Sequence, residues 1–163
     1  MVEFYSWWVY LHILGAFAFA FGHGASGLAA FRIRATRDPA QVRTLLDVSA
    51  MSLGVTYVGL LLLLVGGIAA GIVGDHFGRG WIWASLGILV LIMVAMYAMA
   101  TPFYGQLRVA AGAKPKDPKA DPTPAVSQAD IDALAGSNRP VVLLAIGAIG
   151  FLVILWLMVL KPF

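Results

Sequence analysis

Cysteine is absent from this chain. Its absence excludes disulfides, cysteine-ligated iron–sulfur clusters and covalent haem attachment through C-x-x-C-H. Charge is scarce as well. Asp, Glu, Lys and Arg supply 12% of the 163 residues, against roughly 25% in soluble domains. The long apolar runs contain no carboxylate at all, which argues against a transporter built on an Asp or Glu proton relay and against a hydrolase. The formal net charge of +3 is no nucleic-acid signal, because most of the basic residues sit in two loops between apolar runs. No nucleic-acid partner is expected. The opening Met1–Trp8 lacks a basic region, and no small-residue cleavage site follows the first apolar run, so that run reads as a retained span.

What the chain does have is hydrophobicity. It is 61% hydrophobic with a mean hydropathy of +0.88, which makes it a membrane protein with one membrane domain. Four spans are expected, in an all-α transmembrane bundle. The first covers residues 5–31, entered through the aromatic Tyr5, Trp7, Trp8 and Tyr10 and stopped by Arg32, Arg34 and Arg37. Asp38-Pro39 reads as an N-cap with proline at the first helical position. The second helix accordingly covers 39–73, of which 39–48 is an amphipathic extension short of the bilayer. A glycine-punctuated turn at 74–80 leads to the third span, 81–104, with Pro102 near its end. Residues 105–139 form the one long polar loop. Its prolines and lysines suggest an extended tether, with a short surface helix between Ser127, a capping-box residue, and Gly136. The fourth span is 140–160.

The loop charges set the orientation. The first loop holds Arg32, Arg34, Arg37 and Arg43, and the third holds Arg108, Lys114, Lys116, Lys119 and Arg139. The positive-inside rule places both in the cytoplasm, with both chain termini outside. In intact cells a cysteine introduced at Gly78 is therefore expected to react with an impermeant maleimide and one at Gly136 is not; labelling of position 136 from outside would contradict this topology. The tryptophans Trp7, Trp8, Trp81, Trp83 and Trp156 all fall at the outer ends of their helices. They form either an interfacial belt or a rim on which an external partner docks.

Candidate chemistry begins with His12 and His23 in the first span, since titratable groups within a bilayer are costly and usually face the bundle interior. Eleven residues apart, they lie ~20° apart around a helix and ~16 Å apart along it. His23, Tyr57, Met96 and Tyr97 fall at similar depth and form a candidate polar layer, with Gly147 opening space there. The plainer account is that His23 merely hydrogen-bonds a tyrosine or a helix carbonyl. His12 and His76 share the outer leaflet, and two neutral imidazoles either side of one iron are what non-covalent haem b needs. Gly15 would then make room for the porphyrin. Met93, Met96 and Met99 suit copper(I) as soft thioethers and serve equally as apolar fillers. Ala16, Ala20 and Gly24, with Gly67 and Gly71, form small-residue stripes that permit close helix approach.

The string Trp8-Val9-Tyr10-Leu11-His12-Ile13-Leu14-Gly15-Ala16, followed by an Arg-rich loop and a long second helix, resembles uncharacterised bacterial predicted integral membrane protein families. These share a four-helix plan with CopD-like copper-resistance domains and, more distantly, with HemJ-type protoporphyrinogen oxidases. The resemblance covers about the first two spans. It implies a multi-pass protein of the bacterial cytoplasmic (inner) membrane, with His12 as the helix-one histidine associated with haem or metal. With so little chemistry inside the spans, the expected role is a non-enzymatic accessory subunit of a larger membrane assembly, respiratory or photosynthetic, in contact with lipids and with other membrane subunits. A haem b-binding electron carrier and a copper-handling protein are the alternatives.

Overall fold

The computed structural model describes residues 2–113 and 125–163. The expected Pro/Lys tether falls largely on 114–124, outside the described residues. Five helices account for nearly all the rest: α1 Val2–Ala35, α2 Pro39–Val73, α3 Gly80–Ala110, α4 Gln128–Gly136 and α5 Arg139–Leu160. Four stretches are long and apolar enough to cross a membrane, and the short α4 runs into the last of them. The protein is an all-α four-helix transmembrane bundle.

Local chemistry explains the helix limits. Asp38 caps α2 by accepting a bond from the Ala40 amide at 3.1 Å, and Pro39 follows where its missing N–H is not needed. Gly74 closes α2, its amide bonding back to the Ala70 carbonyl. Asp75 then turns the chain with φ of 52°, a left-handed conformation that Asp tolerates better than most residues. Helix α3 continues past Pro102 to Ala110, further than the apolar run alone indicates. The loss of one backbone bond there is offset by burying Phe103, Leu107 and Ala110.

The helices pair off. Helices α1 and α2 lie antiparallel and in contact along their length, and α3 packs on α5; the two pairs touch more sparingly, mainly through α1 and α5. Tight packing concentrates at the end that carries the arginines. Ile33, Val42, Phe103, Leu107, Ala111 and Ile131 are fully buried there, and they draw α4 into one core with α1, α2 and α3. Helix α4 lies on the surface between Ser127 and Gly136 with one face docked. Its Ile131 and Ala135 are buried, and it is held by a Ser127 amide bond to the Ala110 carbonyl and by Arg37–Asp132 at 3.3 Å. Arg43 donates to the Ala111 carbonyl, while Arg108 reaches both the Leu46 carbonyl and Asp47. At the opposite, aromatic end a smaller cluster of Trp81, Ile82 and Leu157 joins α3 to α5.

Candidate functional site

The α1–α2 seam is built on glycines. A Cβ at Gly66 would lie 2.5 Å from the His12 amide nitrogen, one at Gly22 would lie 2.8 Å from the Thr56 nitrogen, and at Gly15 and Gly59 it would overlap the facing backbone. Gly15 and Gly22 are seven residues apart, as are Gly59 and Gly66, so each pair returns to the same side of its helix after two turns. The backbones meet there.

His12 sits in this seam. Its ring lies over Gly67, where a Cβ would come within 2.7 Å of Nδ1, and Nδ1 is 2.8 Å from the Leu63 carbonyl oxygen. A carbonyl only accepts, so Nδ1 carries the proton and Nε2 of the neutral ring keeps its lone pair. Among the described residues Nε2 has no hydrogen-bond partner. This is the arrangement of a histidine able to ligate a metal through Nε2. Gly15 does not lie open beside it, because the backbone of Gly59, Leu62 and Leu63 fills the space.

His76 belongs to another cluster. Its Nε2 is 3.2 Å from the Tyr5 hydroxyl, and its ring leans on Tyr5 and Trp81. Tyr5 lies seven residues before His12, two turns or ~10 Å nearer the helix start. The two histidines are thus engaged with different partners. His12 has Nδ1 engaged by the Leu63 carbonyl and its Nε2 without a partner among the described residues. His76 has its Nε2 engaged by the Tyr5 hydroxyl. Among the described residues no group of three or more His, Cys, Asp or Glu side chains stands ready to hold a metal ion.

His23 stacks on Phe19 with ring planes 2° apart and faces Gly147 of α5, where a Cβ would overlap Nε2. That Nε2 is buried and has no hydrogen-bond partner among the described residues. Tyr57 and Tyr97 do not join it. They are 65% and 75% exposed on the outer surface, and Met96 is half-buried. The reason is angular: α2 turns Ser52, Thr56 and Gly59 toward α1, and Tyr57, ~100° further round, faces out. Hydroxyl groups of α1 and α2 make polar contacts inside the bundle instead. Ser26 and Ser49 meet at 2.8 Å across the seam, and Ser52 and Thr56 bond back to the Ser49 and Ser52 carbonyls.

The small-residue stripes divide. Gly67 receives His12 and Gly71 receives the Phe77 ring, where a Cβ would come within 2.8 Å, so both serve contacts inside the chain. Ala16 is half-buried, Ala20 is exposed, and a Cβ at Gly24 would meet nothing within 4 Å. Of the methionines, Met93 is exposed and Met99 half-buried. Trp7, Trp83 and Trp156 are exposed, whereas Trp81 is buried, its amide donating to the Phe163 carbonyl and Lys161 Nζ lying 5.6 Å from its ring.

Sequence reasoning missed the seven-residue glycine spacing and the Ser26–Ser49 pair. The first was visible as Gly15/Gly22 and Gly59/Gly66. The second had no signal beyond scattered serines. No curated protein and no solved structure matches the chain. Residues 7–162, from the first tryptophan almost to the last residue, match the family described as Predicted integral membrane protein (DUF2269), and this multi-pass membrane protein belongs to that family.

Proposed function

We propose that the chain is a non-enzymatic accessory subunit of a larger membrane assembly, of respiratory or photosynthetic type. The observation that carries this reading is Gly24. Glycine within a helix costs about 1 kcal/mol relative to alanine, and inside a bilayer its use is to let another helix approach. Gly15, Gly22, Gly59 and Gly66 serve that use within this chain. Gly24 faces open space beside the exposed Ala20, as Gly54 and Gly87 do on α2 and α3, and on this reading its face is left for another polypeptide. Extraction in mild detergent is expected to yield the chain together with a larger complex. Gly24→Leu is expected to remove that association while leaving the chain itself folded. Wild-type protein that is always monodisperse and alone would contradict the reading.

A second reading, haem b binding for electron transfer, is favoured by one observation, the Nδ1 bond of His12 to the Leu63 carbonyl. That bond orients the ring and would leave Nε2 available to an iron, as hydrogen-bond partners of ligating histidines do. Haem would supply one-electron transfer. The chain would supply the imidazole, and its glycine seam would hold the ring in place. Protein purified from haem-replete cells should then show a b-type visible spectrum that His12→Ala abolishes and His23→Ala leaves nearly unchanged. A colourless protein retires this reading.

A further inference from the structure

The arginines of the basic end are not equivalent. Arg34 donates to Asn138, Arg37 to backbone carbonyls and Asp132, Arg43 to the Ala111 carbonyl, and Arg108 to the Leu46 carbonyl and Asp47. Three of them staple the α1–α2–α3–α4 core, and Arg34 ties α1 to the start of α5. Arg32, in the last turn of α1, makes no such bond among the described residues. It lines an open groove with Ala35 and Thr36 of the α1 end and Ala40, Gln41, Thr44 and Leu45 of α2.

The groove is prepared for an anion. Thr36 Oγ1 donates to Gln41 Oε1 at 3.1 Å, which fixes the amide and leaves both Nε2 protons without a partner among the described residues. A guanidinium carries a fork of donors that matches phosphate geometry. The neighbouring carboxylates are already engaged: Asp38 caps the Ala40 amide and Asp47 pairs with Arg108. Directly below, one helical step toward the apolar part of each helix, lie Leu28 under Arg32 and Val48 under Thr44, with Met51 a turn further. Leu28 is 68% exposed and Met51 78%. A donor-lined groove at the end of two spans, above an exposed apolar strip, suits a molecule with an anionic head and a hydrocarbon tail.

We infer that Arg32 and Gln41, at the α1–α2 turn, bind the phosphate headgroup of an anionic glycerophospholipid, whose acyl chain lies along Leu28, Val48 and Met51. A free phosphate would need the groove but not the strip, so the lipid is the occupant. Basic pockets between spans bind acidic lipid headgroups by this chemistry, and each basic residue near the surface contributes enough to change affinity about fivefold.

Native mass spectrometry of the full chain in mild detergent tests this, with phosphatidylglycerol and phosphatidylcholine as competing probes. The wild type should retain phosphatidylglycerol in preference to phosphatidylcholine. Arg32→Gln should lower that retention about fivefold with circular dichroism unchanged, and Gln41→Leu should lower it less. Arg139→Gln, whose arginine lies outside the groove, should leave it unchanged. Equal retention by Arg32→Gln would overturn the proposal, as would an equal loss in Arg139→Gln, which marks only general attraction to the basic end. Displacement of the lipid by millimolar inorganic phosphate would overturn it too, because the groove would then be a simple anion site.

Discussion

Gly66→Leu is expected to leave little folded protein to purify. The side chain would have to enter where the Leu11 and His12 backbones already pass, with a Cβ 2.5 Å from the His12 nitrogen. Overpacking usually costs 1–3 kcal/mol because a neighbouring side chain can move. Here the obstacle is backbone within a continuous helix, so the expected loss is about 3 kcal/mol or more, a large part of an ordinary domain's stability. The change also pushes on the backbone that carries His12. Thermal unfolding in detergent, read as loss of monodisperse protein on heating, should drop sharply for Gly66→Leu and stay at the wild-type value for Gly24→Leu. A Gly66→Leu protein that melts like the wild type would show that α1 and α2 do not meet at this glycine.

Phe103→Ala is expected to have the next largest effect. Phe103 is fully buried among Ile33, Leu107, Ile131 and their neighbours, and its ring packs edge-on to Tyr104, 5.2 Å between centroids. Removing a buried phenyl typically costs 3–5 kcal/mol, including the cavity left behind. The damage should fall on the basic end, where α4 is attached by Ile131, Ala135 and a few polar bonds. Hydrogen exchange should show the α4 amides losing protection while those in the middle of α1 and α2 change little. Met51→Ala, at an exposed site, serves as the control and should change neither. Unchanged α4 protection in Phe103→Ala would mean that α4 is held by its polar contacts alone.

These two positions show what can be read from the residues and what cannot. The four spans are legible because length and hydropathy suffice to define them. The start of α2 is legible because Asp38 and Pro39 have specific jobs at a helix end. The side each span buries is much harder to see. A helix that is apolar all round has no polar face to mark its outside, and in a bilayer the exposed surface is as apolar as the buried one. On α1 two small-residue patterns competed. Ala16, Ala20 and Gly24 have the four-residue spacing of a familiar contact motif, while Gly15 and Gly22 have the seven-residue spacing that α2 uses. Only the matching pair on α2, Gly59 and Gly66, decides between them. The extent of α3 was hidden for a related reason: Pro102 suggests a stop, and the residues that outweigh it come from α1, α2 and α4.

The candidate site divides in the same way. The depth of His12 and its shared face with His23 follow from helix geometry. The ring's position over Gly67 and its bond to Leu63 depend on how two helices settle against each other, which no spacing within one helix reveals. Tyr57, Tyr97 and His23 were grouped by depth alone, and depth does not fix rotation about a helix axis. His76 looked like an exposed turn residue available to His12. Its bond to Tyr5 arises because the turn after α2 folds back onto the start of α1.

The central claim is that the outward face of α1 around Gly24 belongs to another polypeptide. It is tested most directly in native membranes, without extraction, by a photo-crosslinking amino acid placed at position 24, with position 51 on the exposed face of α2 as the comparison. The account predicts a discrete heavier adduct from position 24 that contains a second protein, and none of comparable yield from position 51. If position 24 gives no protein adduct, or behaves like position 51, then Gly24 faces lipid and the accessory-subunit reading is contradicted.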